Sequence, residues 1–538
     1  MRWIGFALAF ALVATAYFYR LDRPLLWGDE GHTASLSRGI LRTGIPTAYD
    51  GRNLVLFDIR AGLNRRLVSK EVPWVQWYVG ALSMALFGGD TAGFRALFAL
   101  VGLLSFVPLW AALRGRVKFP GAVAALALMA PQAVLFDRNA RYYPIIVFLF
   151  SCLVWHLSAS FRNRRVRFGL STLIFVLLFH THTLIALAIA AALGAYCLLW
   201  RRGDLAGYAG SAAIGFVSWA AWFKALGPPL TESPLYQTWA PVNGLGDWCA
   251  VFLRAVLAMI VDMDVVGSLP LLLLAAAVAL LAVRNRPGPR GLCGEPLVGF
   301  VLIALLVQAL ATAAISGTES ESKFAVLRYM PHFAVFGMVA CLVVLDRAVA
   351  APVPCAALCA FAVACNLGTV SYWTRPFGRS VPLSWAAPVY SDILNPAPEA
   401  LDDVIAELRR RAPPAGAGDS AILAVPPWTQ ATLVFYLGDR YIIPPDYIHR
   451  PGPHDDQGEP WILATLGQEA YARLFAPPLW MVDSLNVFPD TPEGWRKAAV
   501  IPSGRARPDD GARPELTRHS FNGRTPAAAV TVYQWAGR

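Results

Sequence analysis

Apolar residues along this chain come in long unbroken runs rather than at the spacing of a single helical face. The runs fall at 3–19, 92–113, 119–136, 143–160, 168–181, 183–200, 205–224, 265–283, 296–316, 329–346 and 350–372. Crossing a bilayer takes about 20 mostly apolar helical residues, so this pattern predicts a polytopic α-helical membrane protein of about eleven transmembrane helices. A further apolar segment, 73–88, is short and rich in Trp and Tyr. It is predicted to lie in the membrane interface, where aromatic rings are favoured and length need not match the bilayer.

Polar positions give the direction. Arg114/Arg116/Lys118, Arg162/Arg164/Arg165/Arg167, Arg201/Arg202 and Arg284/Arg286/Arg290 lie between apolar runs. They share one side only if segment 73–88 does not cross. The positive-inside bias assigns that side, with Arg2, to the cytoplasm. The loops holding Asp29-Glu30, Asp137 to Tyr142 and Lys323 to Arg328 then face outward, together with everything after residue 372. Arg2, the first apolar run and Ala14-Thr15-Ala16 also fit a cleavable leader. Tyr17-Phe18-Tyr19 followed by Arg20 favours a retained helix ending in an aromatic belt.

Beyond residue 373 proline, glycine and charge rise. Glu399 to Arg411 has a helical pattern, Ser420 to Val425 reads as a buried strand, Thr429 to Leu437 as the helix after it, and 503–515 as a mobile loop. The predicted organisation is a transmembrane domain over 1–372, with 20–91 its first outer loop, and a soluble extracytoplasmic α/β domain over 373–538.

Composition sharpens the class without changing it. Of 538 residues, 56% are hydrophobic and 15% charged. The formal charge of +11 resides largely in the arginine clusters, which sets nucleic acid aside as a partner. The eight cysteines show neither disulfide framework nor zinc spacing.

Candidate chemistry gathers in the outer loops. Asp29 and Glu30 follow the first span; a helix N-cap is the simplest role for Asp29, with Gly44 and Pro46 closing the helix. Such a cap is compatible with catalysis. Lys70 and Glu71 precede the interfacial segment. The second outer loop, Phe136-Asp137-Arg138-Asn139-Ala140-Arg141-Tyr142-Tyr143, places two arginines where topology does not call for them. A phosphate suits their geometry, and so does an ion pair with a nearby acid. His180 and His182 do not share a helical face, which argues against a two-histidine metal site. His182 and Arg328-Tyr329 are candidate substrate contacts. Trp74, Trp77, Trp239 and Trp248 suit an interfacial belt or a sugar platform.

Trp27-Gly28-Asp29-Glu30 after the first span, Arg38, Lys70, Pro73 through Trp77-Tyr78, Ala140-Arg141-Tyr142-Tyr143 and Arg328-Tyr329 resemble the GT-C class of membrane glycosyltransferases. The nearest branch is that of protein-mannosyltransferase-like and lipid A aminoarabinose transferase-like enzymes. The resemblance covers roughly residues 1–200. It implies an inverting enzyme of the bacterial inner membrane, N-terminus cytoplasmic and C-terminal domain periplasmic. Such an enzyme moves a sugar from a polyprenyl phosphate to a glycan, lipid or protein hydroxyl. It also implies Asp29 as the acid at the reacting centre and Lys70 and Arg141 on the phosphate. Asn139 stands where many relatives have Glu, which makes Asp137 the candidate second acid. Glu30 is a second choice for the base, and Arg138, Tyr142, His182, Arg328 and Tyr329 are further substrate contacts. The sequence admits a divalent metal without requiring one, and names no other cofactor. A lipid-linked-glycan transporter is the alternative, but transport paths place charges inside the membrane, and here they gather at one face.

Overall fold

The computed structural model describes residues 2–55, 63, 64, 66–69, 73–159, 161, 163–226, 244, 246, 249, 294–315, 329–348, 393, 394, 400–412, 421–425, 429–443, 478–483, 490–502 and 529–536. The chain divides into two compact units. The first comprises 1–19, 98–222 and 237–394; the second comprises 20–97, 223–236 and 395–538. The first loop thus belongs with the C-terminal region, a grouping that the expected division at residue 373 does not contain.

Unit one is a helical bundle. Its helices are α1 (Arg2–Phe18), the distal part of α4 (Thr91–Leu104), α5 (Phe106–Leu113), α6 (Pro120–Leu128), α7 (Pro131–Asp137), α8 (Tyr143–Ser158), α9 (Arg164–Thr181), α10 (Thr183–Trp200) and α11 (Leu205–Ala225). A π-helical turn, Pro296–Phe300, leads into Val301–Ile315, and Phe333–Ala348 follows. Two departures from the predicted spans have local causes. The run 119–136 is broken between α6 and α7, because Pro131 has no N–H to continue the helix. Helix α9 begins at Arg164, ahead of its apolar run, because the Asn163 side chain accepts the Arg165 and Val166 backbone N–H groups at 2.9 and 3.4 Å.

Of the arginine clusters expected to share a side, those around Arg116, Arg167 and Arg201 gather at one end of this bundle, while Arg284, Arg286 and Arg290 lie outside the described residues. Arg116 donates to Glu295 at 2.9 Å and to the Ser158 carbonyl at 2.6 Å, and Arg347 reaches the other Glu295 oxygen at 2.9 Å. Arg201 donates to the Leu157 carbonyl at 2.9 Å, while Arg167 pairs with Asp204 at 2.5 Å. The end of α1, the loop after α7 and the α9–α10 junction meet at the opposite end. Among the described residues, Thr91–Leu113 and Thr183–Trp200 are long and apolar enough to cross a bilayer; Trp3–Phe18, Val75–Phe87, Tyr143–Ser158 and Pro296–Thr312 are apolar but shorter. The predicted spans 265–283 and 350–372 and the predicted loop 503–515 lie outside the described residues.

Unit two combines α2 (Gly28–Thr43), α3 (Val75–Phe87) and the start of α4 with a small α/β fold. Its strands are β1 (Ala421–Val425), β2 (Tyr441–Ile443), β3 (Pro478–Asp483), β4 (Trp495–Pro502) and β5 (Ala529–Trp535), in the order β2-β1-β3-β5-β4. β1 runs parallel to β2 and β3, whereas β5 is antiparallel to β3 and β4. The helix Thr429–Leu437 crosses from β1 to β2, as the long connection between parallel strands demands. Leu25 and Val55 of the first loop enter the same core as Leu401, Val404, Ile422, Leu433, Trp480 and Val532. Burying those two side chains ties the loop to the α/β fold by about 1.5–3 kcal/mol each.

Helix α2 meets the 429–437 helix backbone to backbone. A Cβ on Gly31 would lie 2.6 Å from the Ala431 carbonyl carbon and 2.7 Å from the Thr432 nitrogen. Gly31→Ala is therefore expected to force the two helices apart and to destabilise the protein by about 1–3 kcal/mol. Equilibrium unfolding in detergent measures this, and an unchanged midpoint would refute the contact.

Candidate active site

Helix α2 starts at Gly28, with Trp27 in the cap position and no side-chain cap. Asp29 and Glu30 therefore stand in the first turn instead of Asp29 capping it. There the positive end of the helix dipole favours carboxylates. The far end is as predicted: Gly44 takes a left-handed conformation at φ 81°, its N–H donating to Ile40 at 2.7 Å.

The two acids have different surroundings. Glu30 is fully buried, and Arg95 grips it with both arms of its guanidinium, Nε to Oε1 at 2.8 Å and Nη2 to Oε2 at 2.5 Å. Arg95 also donates to the carbonyls of Leu21, Pro24 and Leu25 at 3.2, 2.6 and 3.3 Å. A carboxylate held by such a fork is fixed in place, and both its oxygens are engaged. The fork ties the turn that carries Asp29 to α4. Asp29, one residue earlier, is buried as well, at 3% exposure. Sequence reasoning missed Arg95, whose signal was a lone charge inside the apolar run 92–113.

The candidate cations also separate. Lys70 and Arg328 lie outside the described residues. Arg138 donates to the carbonyls of Ala16, Tyr17 and Tyr19 at 2.8, 3.1 and 2.9 Å, and so closes the C-terminal end of α1. Arg141 sits over the Tyr142 ring at 5.8 Å. Tyr142 in turn contacts His182 with ring centroids 4.6 Å apart, and His182 contacts Tyr329 at 5.6 Å. Four predicted substrate contacts, from three separate stretches, thus form one polar-aromatic cluster. His180 faces Ser218 at 3.2 Å within the bundle. Among the described residues no three His, Cys, Asp or Glu side chains converge as a metal site requires.

Asp137 is fully buried, its Oδ2 2.7 Å from the Tyr17 hydroxyl, which also lies 3.0 Å from the Leu128 carbonyl. A Cβ on Gly102 would come within 2.8 Å of the Asp137 Cβ, so α4 approaches here only because it has glycine. Burial pushes the Asp137 carboxyl up to about 7, with the Tyr17 hydrogen bond opposing. The folded protein then keeps a proton that the unfolded chain, titrating near 3.8, has released. The sign follows by linkage: stability contributed by this group is full at low pH and declines as pH rises through this interval. Asp137→Asn, which does not titrate, is expected to gain in unfolding midpoint relative to wild type across that window and to level off above it. Parallel unfolding midpoints at every pH would contradict the assignment.

No family model matches the chain, and no curated protein does. Solved structures do. The crystal structure of ArnT from Cupriavidus metallidurans bound to undecaprenyl phosphate superposes with a TM-score of 0.56 at 17% identity, covering 98% of both chains. The apo structure of the same protein gives a TM-score of 0.56 at 17% identity, over 98% of this chain and 97% of that one. Over nearly its whole length the chain thus shares the fold of that structure.

Proposed function

We propose that this chain is an integral membrane glycosyltransferase that takes a sugar from a polyprenyl phosphate and transfers it, with inversion, to an acceptor hydroxyl outside the cytoplasm. The observation behind the reading is the likeness, over 98% of the chain, to a structure determined with undecaprenyl phosphate bound. The topology proposed with it has about eleven spans, the N-terminus in the cytoplasm and the acid-bearing loop outside. The cation-rich end of the bundle supports that orientation by the positive-inside bias.

The residues suit the chemistry. Asp29 accepts the acceptor's hydroxyl proton as the new O–C1 bond forms and the bond from C1 to the phosphate oxygen breaks. A positioned base of this kind contributes roughly a hundredfold to ten-thousandfold. The departing lipid phosphate needs cationic stabilisation more than protonation. Arg141, with Tyr142, His182 and Tyr329 beside it, is assigned to the phosphate, along with Lys70 and Arg328. Glu30 and Arg138 hold backbone in place. The acceptor is a hydroxyl of an envelope glycan, a lipid or a protein.

Purified protein in lipid vesicles, supplied with a panel of undecaprenyl-phosphate sugars, tests the reading. A transferase releases undecaprenyl phosphate from at least one donor. Movement of intact donor across the bilayer without cleavage would replace the reading with that of a transporter.

A further inference from the structure

The segment leading into Asp29 is gripped from two directions within unit two. Arg95 binds Glu30 and the carbonyls of Leu21, Pro24 and Leu25. The second grip comes from the 429–437 helix, whose Tyr436 lies 410 residues further along the chain than Leu26. The Tyr436 hydroxyl accepts the Leu26 N–H at 3.0 Å and pairs with the Thr91 hydroxyl at 2.8 Å. That N–H precedes the first turn of α2 and has no place in its ladder, so the tyrosine oxygen takes the role of partner. One turn onward, Gly31 touches the Ala431 backbone. Further along α2, Arg38 donates to the Val434 and Phe435 carbonyls at 3.3 and 3.0 Å, with its guanidinium 4.6 Å from the Phe435 ring centre. Asp29 therefore sits between two fixed points, Leu26 and Gly31, both set by the same helix.

We propose that Tyr436 is a positioning residue for Asp29, and that the C-terminal α/β region serves as the rigid support of the acid-bearing turn. The inference rests on the reading of Asp29 as proton acceptor. A base whose carboxylate drifts by about an ångström loses much of its advantage, because rate depends on a near-attack geometry. Removing the phenolic oxygen leaves the buried Leu26 N–H without its partner and frees the turn to shift.

Tyr436→Phe tests this with two readouts. Hydrogen exchange of a peptide spanning 24–32 is expected to quicken by about tenfold or more, while the end of α2 near Ile40 keeps its protection. In the vesicle assay, with whichever undecaprenyl-phosphate sugar of the panel wild type cleaves, kcat is expected to fall about tenfold at unchanged KM for the donor. Asp29→Asn/Tyr436→Phe should be no slower than Asp29→Asn alone, since a misplaced base matters only when the base is present. Unchanged exchange, an unchanged kcat, or additive losses in the double variant would each overturn the proposal. So would a fall in activity that merely follows the folded fraction. If Asp29→Asn itself keeps wild-type turnover, the reading beneath fails instead, and the exchange result still reports on the Tyr436 contact.

Discussion

Asp29→Asn is expected to lower turnover of a polyprenyl-phosphate sugar by at least about a hundredfold. The substitution keeps the shape of the side chain and removes its ability to take a proton. Glu30 cannot substitute for it, because its oxygens are engaged by Arg95 at 2.8 and 2.5 Å. Binding of undecaprenyl phosphate should be unchanged, since the cations assigned to the phosphate remain. Single-turnover cleavage and equilibrium binding of the lipid phosphate separate the two effects. A variant that binds and cleaves within a few-fold of wild type removes Asp29 from the chemistry.

The largest effect on stability is expected from Arg95→Ala. It leaves Glu30, which has no solvent exposure, as a buried charge without its partner. Breaking one side of such a pair costs about 3–5 kcal/mol, whereas removing both partners is far milder. Three carbonyls of residues 21–25 lose a donor at the same time. Arg95→Lys should recover only part of the loss, because an ammonium cannot reproduce the fork. Unfolding of the single and double Arg95/Glu30 variants forms a thermodynamic cycle. A double variant as unstable as the sum of its parts would show that the two side chains do not support each other.

Much of the architecture was legible in the sequence because it is local. The helix at 400–411, strand β1 and the helix at 429–437 fall where periodicity and buried-strand runs put them. So do the helix Val75–Phe87 and the glycine stop of α2. The gathering of the Arg116, Arg167 and Arg201 regions at one end of the bundle follows from alternation alone. The interruption before Pro131 was equally readable, yet apolar content masked it. What the sequence could not show is pairing over long separations. The alliance of the first loop with the C-terminal fold depends on Leu25 and Val55 entering a core built from residues after 400, and on Tyr436 and Arg23 meeting Leu26 and Asp402. No spacing rule anticipates contacts of that range.

The candidate site was legible in residue type more than in role. Arg141, Tyr142, His182 and Tyr329 come together as their shared loop side suggested. Glu30 and Arg138 were singled out for the same reason, and the structure pairs them with Arg95 and with carbonyls at the end of α1. A charged side chain near a membrane surface serves equally well as ligand or as fastener. Only the identity of its partner tells which.

Direct displacement at the anomeric carbon, with Asp29 activating the incoming hydroxyl, is the central step of the proposed reaction. The anomeric configuration of the product, read by proton NMR after reaction with a donor of known configuration, tests that step most directly. Inversion is predicted; retention, or a sugar covalently trapped on Asp29, would contradict it.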